Sequence, residues 1–409
     1  MRSIDKQNFN ITIIGGGMVG MSLALLLARR NSDWKIALLD AQEFPDDTMD
    51  KLFQPSFDAR STAIAHGSME IFQSLGIWDK LNQQATAIKK IHISDADHLM
   101  GGFINADDYG IDAVGYVIPN QWIGRVLTSA LQTQENITLF SSVTVQKVLP
   151  KISGAELQLA ANSKQADTIM TDLVVMADGG KSPLSQQLGI DFTVESYQQT
   201  AIITNVAFTE SHQHVAYERF TELGPIALLP LGKIASAQEA ALVLTLPKEQ
   251  ANELLNSSDD LFLAHLQKRF GQRLGKFNRV GERKAFPLQL ITAKEQIRSH
   301  LVLIGNAAHF LHPVAGQGFN LSLRDCVQLT KHLADSRKPL GDLSRLQAYL
   351  QDQQRDQNTT ILFSDQLVKI FSSARLPLIA LRHLGFIGLE SIPAAKKLLV
   401  DQTMGKHYA

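Results

Sequence analysis

Ile11-Thr12-Ile13-Ile14-Gly15-Gly16-Gly17-Met18-Val19-Gly20 is the stretch that decides the fold. Four residues of strand-forming type run into G-x-G-x-x-G, and from about Met18 to Arg30 apolar residues recur at helical spacing. In such a strand-to-helix turn Gly15 permits the tight bend, Gly17 lets backbone approach a pyrophosphate, and Gly20 lets helix and strand pack closely. The helix N-terminus adds unbonded amides and a partial positive charge for the anion. A polar loop at Asn31-Ser32-Asp33 leads to a second strand, Lys35 to Leu39, closed by Asp40. An acid twenty residues beyond the last glycine accepts hydrogen bonds from ribose hydroxyls and repels a 2′-phosphate. The unit is βαβ, and its crossover is expected to be right-handed.

Outward from it, Asp172 to Met176 and Leu301 to Ile304 are short apolar runs that stop at glycine-containing loops, the pattern of buried parallel strands. Between them Ala201 to Ala207, Ile226 to Leu231 and Ala241 to Leu246 predict a separate antiparallel sheet, inserted between pieces of the nucleotide domain. After Leu343 the pattern is helical, and Arg375 to Leu399 is rich in Leu, Ile and Ala. That last run reads as a packed helix pair or as a face for a partner or membrane. The expected division is 1–90, 110–190 and 285–340 for the discontinuous nucleotide domain, 91–109 and 191–284 for the β-rich domain, and 341–409 for a C-terminal helical region.

Two later loops repeat the design of the first. Gly305-Asn306 and then Gly316-Gln317-Gly318-Phe319-Asn320 follow a strand and open a helical run through Asp325 to Leu333. A second helix N-terminus would thus face another part of one extended cofactor. If that cofactor is a flavin, backbone amides around Gly318 to Asn320 suit the negative charge of its reduced ring. Asp178-Gly179-Gly180 ends a third strand in an acid and glycines.

On these stretches, with Phe57-Asp-Ala-Arg60-Ser-Thr-Ala-Ile64, Tyr217-Glu-Arg-Phe-Thr-Glu-Leu-Gly-Pro-Ile-Ala-Leu-Leu-Pro230 and His312-Pro313 before Gly316, the chain resembles the flavoprotein aromatic hydroxylases of the para-hydroxybenzoate hydroxylase type. The resemblance runs nearly end to end. Within that family it is most similar to the ubiquinone-biosynthesis branch, and there to the 2-polyprenyl-6-methoxyphenol hydroxylase group. The implied fold is α/β, an FAD-binding Rossmann-like domain with an inserted antiparallel-sheet substrate domain and C-terminal helices. The implied cofactor contacts are Gly15, Gly17 and Gly20 at the FAD pyrophosphate, Asp40 at the adenosine ribose, and Arg60, Arg125 and Asn120 as further contacts. Asp178 and Gly179 match the family's DG motif, while Gly305, Asn306 and the loop Gly316, Gln317, Gly318, Phe319 and Asn320 match the segment that holds the ribityl chain and flavin edge. Two positions depart from the wider pattern: Asn306 stands where an Asp is usual, and Ser185 where the DG motif often continues to an arginine.

The implied reaction is hydroxylation of a polyprenylated phenol, with NADH or NADPH as electron donor, O2 as co-substrate and oxygen carried as the hydroperoxide at flavin C4a. No catalytic side chain is identified; His312, Pro313 and Arg219 are candidates for the active-site wall. A hydroxylase of a small soluble aromatic acid stays open, since Arg219 could be the buried cation it needs. So does a non-enzymatic prenyl-lipid-binding protein on the same scaffold. Other ubiquinone-pathway proteins and a peripheral membrane contact are the expected partners.

Composition narrows the field. With 39 Lys plus Arg against 40 Asp plus Glu, the 409-residue chain lacks the basic excess of a nucleic-acid binder. One cysteine, Cys326, makes neither a disulfide nor a thiolate cage, so a reducing, cytoplasmic setting is expected. The uncharged run from Ile11 to Ala28 carries four glycines that would weaken a signal helix. His309 and His312 lack a third ligand nearby in sequence, so no metal is expected. Asp107-Asp108 and Glu218 with Arg219 read as solvated turns or structural pairs.

Overall fold

The computed structural model describes residues 6–44, 59–95, 101–160, 167–180, 182–232, 238–311, 316–335, 337–371 and 400–405. The strand Lys6–Ile14 lies at the centre of a sheet, parallel to Ile36–Leu39 on one side and to Thr168–Met176 on the other. Ile137–Phe140 and Leu301–Leu303 extend it at either flank, again in parallel. Period-two alternation sets which side chains go where. Ile11, Ile13, Leu173, Val175 and Val302 pack on one face, against the helices Met18–Arg30, Asn120–Gln132 and Gln317–Leu333. Ile14, Val174, Met176 and Leu303 pack on the other, with Val148 and Leu157. Both faces are covered, which is why these strands read as continuous apolar runs. The helix begins at Met18 and ends at Arg30, as the spacing predicts.

A second sheet runs in the order 309–310, 284–293, 192–208, 239–247, 226–231, 215–220, 90–95 and 101–105. One pair is parallel, Val215–Phe220 with Lys90–Asp95, against the expectation of a wholly antiparallel sheet. The reason is connectivity: a short hairpin forces antiparallel neighbours, whereas Lys90–Asp95 arrives from a remote part of the chain and is free of that constraint. Pairing also carries this sheet through Lys284–Ala293, beyond the boundary expected at 284. Alternation again divides the side chains. Ile202, Leu228, Leu242 and Leu244 pack under the helices Lys248–Leu255 and Asp259–Phe270 through Phe262, Leu266 and Phe270. Ala227, Val243 and Ile203 turn the other way, into a cavity.

The helix Leu343–Phe371 lies on Gln317–Leu333, fixed by the buried ion pair of Arg324 Nε with Asp356 Oδ2 at 2.7 Å. The rest of the expected C-terminal pair, Arg375 to Leu399, lies outside the described residues. Among the described residues no helix is long and apolar enough to cross a membrane.

Candidate active site

The glycine turn is built by contact. A Cβ on Gly15, where φ is +107°, would sit 2.5 Å from the Ala177 carbonyl oxygen, and one on Gly20 would overlap the Gly15 carbonyl oxygen. Only glycine meets both demands. The close packing expected of Gly20 is therefore against the turn itself, and Gly15 lies directly on the Ala177-Asp178 step. Asp40 Oδ2 accepts the Gly16 N–H at 2.6 Å and Oδ1 accepts that of Gln42 at 2.7 Å. Its remaining lone pairs are available to a ribose hydroxyl.

Gly305 closes the gap to the second loop. A Cβ there would lie 3.1 Å from Val19 Cγ1, and one on Gly180 would lie 3.1 Å from the Asn306 carbonyl oxygen. All three glycine loops thus meet along the carboxyl ends of the parallel strands, where open α/β sheets hold their ligands.

A cavity of about 650 Å³ opens there. Gly17, Gly179, Asn306, Gly316, Gly318 and Phe319 all line it, so loops separated by some 300 residues share one space. Two helices start on its wall with glycine N-caps, Gly17 and Gly316, and neither offers a side chain to its free amides. A Cβ on Gly17 or on Gly318 would meet nothing within 4 Å, so each leaves bare backbone towards open space. The free amides at the two helix starts fit the ends of an elongated dinucleotide; Gly15, Gly20, Asp40, Asp178 and Gly305 are not themselves on the cavity wall.

The remaining expected positions divide. Arg60 lines the cavity, and its carbonyl accepts the Asn120 N–H at 2.9 Å. Asn120 Oδ1 accepts from Thr62 at 2.6 Å, and Asn120, Arg125 and Gln317 are not part of the lining. Asn320 lines it, yet its whole side-chain amide is engaged: Oδ1 accepts the Ala65 N–H at 2.9 Å, and Nδ2 donates to the carbonyls of Ala63 and Gly316 at 3.0 and 2.7 Å. Asp178 accepts a hydrogen bond from Ser182, and burial holds its carboxyl above the usual range. His309 Nε2 pairs with the buried Asp325 Oδ2 at 2.6 Å. His312 and Pro313 lie outside the described residues.

Arg219 does not line the cavity: its Nε donates to the Arg269 carbonyl at 3.0 Å, while Ala216, Tyr217, Glu218 and Phe220 of the same strand are on the cavity wall. Glu218, read from sequence as one half of a structural pair with Arg219, is on the cavity wall. Strand pairing sets Ile93, Glu218, Ala227, Val243, Ile203 and Lys284 side by side in one row across the sheet. Every member of that row lines the cavity. Glu218 Oε1 is buried and accepts no hydrogen bond among the described residues, and desolvation pushes its carboxyl up to about 8. The signal was present in sequence as an acid on the apolar face of an alternating strand.

The model of one family, described as an FAD binding domain, matches residues 8–362. The chain belongs to this family. Ubiquinone hydroxylase UbiL of Rhodospirillum rubrum is 30% identical over 98% of this chain and 91% of its own length. The human ubiquinone biosynthesis monooxygenase COQ6 is 28% identical over 96% of this chain and 92% of its own. Among solved structures, p-nitrophenol 4-monooxygenase PnpA of Pseudomonas putida superposes with a TM-score of 0.76 at 15% identity, covering 98% of this chain and 100% of that one, a likeness of fold. Within the family this chain is an FAD-dependent monooxygenase.

Proposed function

We propose that the protein hydroxylates a polyprenylated phenol in ubiquinone biosynthesis, using NADH or NADPH and O2. The observation that carries the substrate class is the cavity wall. The sheet face over it is Ile93, Ala227, Val243 and Ile203, extended by Ala216, Leu229 and Ala241, with Glu218 the acid among them, while the lining cations Arg60 and Lys284 are both exposed. Lys284 Nζ pairs with Glu282 Oε2 at 3.2 Å, Arg60 is exposed, and Arg219 points elsewhere. A benzoate-type carboxylate would lose its hydration here with no buried cation among the described lining residues to replace it, whereas a neutral phenol with a hydrocarbon tail gains about 25 cal/mol per Å² buried.

FAD, when bound, takes hydride from the nicotinamide and delivers one oxygen atom of O2 to the ring. The chain's part is to hold and to exclude. Gly15, Gly17 and the Met18–Arg30 N-terminus receive the pyrophosphate, Asp40 the ribose, and the backbone of Gly316, Gly318 and Phe319 the flavin edge. Asn320 acts one step back, by fixing that backbone. The apolar sheet face keeps water from the reacting centre. UbiL and COQ6, named for ubiquinone chemistry, support the substrate class. A long prenyl tail partitions into lipid, so the protein works at a membrane surface, beside other enzymes of the pathway.

The test is turnover by the purified, FAD-loaded protein. NAD(P)H oxidation stimulated by a polyprenyl methoxyphenol, with hydroxylated product, is expected. Stimulation by 4-hydroxybenzoate instead, with none by the prenylated phenol, would overturn the reading.

A further inference from the structure

We infer that Glu218 is a catalytic residue: its carboxyl group binds the phenolic hydroxyl of the substrate and takes that proton as the ring is oxygenated. The inference rests on the polyprenyl-phenol reading and gives it a named group. Three observations meet here. Glu218 faces the cavity between two apolar neighbours of its row, with Ile93 beside it on one strand and Ala227 on the other. Its Oε1 is buried with its acceptor capacity unused among the described residues. And no ion pair joins it to a cation among the described residues: Arg60, Glu282 and Lys284 are the other charged groups on the cavity wall, Arg219 Nε donates to the Arg269 carbonyl, Arg273 is bound to His92, and Asp95 lies further along the Lys90–Asp95 strand.

Glu218 as a whole is half-buried, and the cost of its one buried, unsatisfied oxygen inside a ligand cavity is explained when the ligand completes the carboxyl group. A phenol does so, since its O–H donates where the protein does not. Desolvation has already moved the carboxyl to about 8, close to the pH at which it must work and nearer to a phenol than an ordinary carboxylate is. As the phenol proton passes to Glu218, the O–H electron pair moves into the ring, which raises density at the ortho and para carbons. One of those carbons forms the new C–O bond to the oxygen derived from O2, whose other atom leaves as water at the expense of NAD(P)H. The carbon then loses its own proton to water, and Glu218 returns its proton to the phenolate oxygen. Glu218 ends as it began.

The experiment compares wild type, Glu218→Gln, Glu218→Asp and Glu218→Leu as FAD-loaded proteins, with a diprenyl 2-methoxyphenol in detergent as probe. For Glu218→Gln we expect kcat for hydroxylation to fall about 100-fold or more with KM changed far less, and the flavin spectrum to stay as in wild type. In wild type the hydroxylation rate rises with pH through the carboxyl's pKa; that limb should vanish in Glu218→Gln and persist, shifted, in Glu218→Asp. Glu218→Leu should unfold no earlier than wild type on heating, which separates lost chemistry from lost fold. Wild-type-like kcat and pH profile in Glu218→Gln would overturn this inference and leave the function standing. Failure of wild type itself to hydroxylate the probe, with flavin bound and reducible, would overturn both.

Discussion

Asn320 Oδ1 accepts the backbone N–H of Ala65 at 2.9 Å, across 255 positions of sequence. The same amide donates to the carbonyls of Ala63 and Gly316, so one side chain pins the start of the Gln317–Leu333 helix to the strand Ser61–Ala65. Asn320→Ala strands these buried backbone groups, and a loss of about 2–4 kcal/mol in denaturant unfolding is expected. Flavin should also be held less tightly, because the backbone around Gly318 is no longer fixed. Unfolding curves and flavin released on dilution measure the two effects.

Gly17 and Gly20 sit in one motif and should fail in different ways. A Cβ on Gly17 has open space and φ there is −68°, so Gly17→Val is expected to fold with stability within about 1 kcal/mol of wild type and to purify colourless. A Cβ on Gly20 overlaps the Gly15 carbonyl, so Gly20→Val should be recovered unfolded or aggregated. Circular dichroism with the visible absorption spectrum distinguishes them. A yellow Gly17→Val would contradict its place at the pyrophosphate.

Glu218 also predicts how stability depends on pH. Its folded pKa, about 8, lies above the ordinary 4.5, so between those values the native state keeps a proton the unfolded chain has released. Stability therefore falls as pH rises through that window, by at most about 1.4 kcal/mol per unit, and is flat below and above it. Asp178 shifts in the same direction, and His92 and His212 in the opposite one, both lowered chiefly by burial. The difference between wild type and Glu218→Gln, measured without substrate, isolates the Glu218 part. It should widen from pH 5 to 8 in favour of the variant; a constant difference would refute the shift.

Arg219 tests the discarded role. Arg219→Met removes the Nε bond to the Arg269 carbonyl, at about 1 kcal/mol, and should leave substrate choice untouched. A changed ratio of prenylated-phenol to benzoate turnover would restore Arg219 as a substrate contact.

Sequence by itself determined the first βαβ unit. Local spacing suffices there, since strand, glycine turn, helix and acid follow one another within 35 residues, Lys6 to Asp40, and each is imposed by backbone geometry. It also indicated the second loop and the inserted sheet, whose strands announce themselves by alternation. Tertiary structure alone decided the rest. The parallel pairing of Val215–Phe220 with Lys90–Asp95, and hence the row that carries Glu218, depends on a partner 125 residues earlier, as in Val215 with Lys90. Sequence showed Glu218 alternating with Ala216 and Phe220, but not that this face meets a cavity, because alternation gives two faces without saying what each one packs against. Asn320 was legible as a site residue, but its work on Ala63 and Ala65 was not. Hydrogen-bond partners that distant are chosen by packing, and packing is a property of the whole chain.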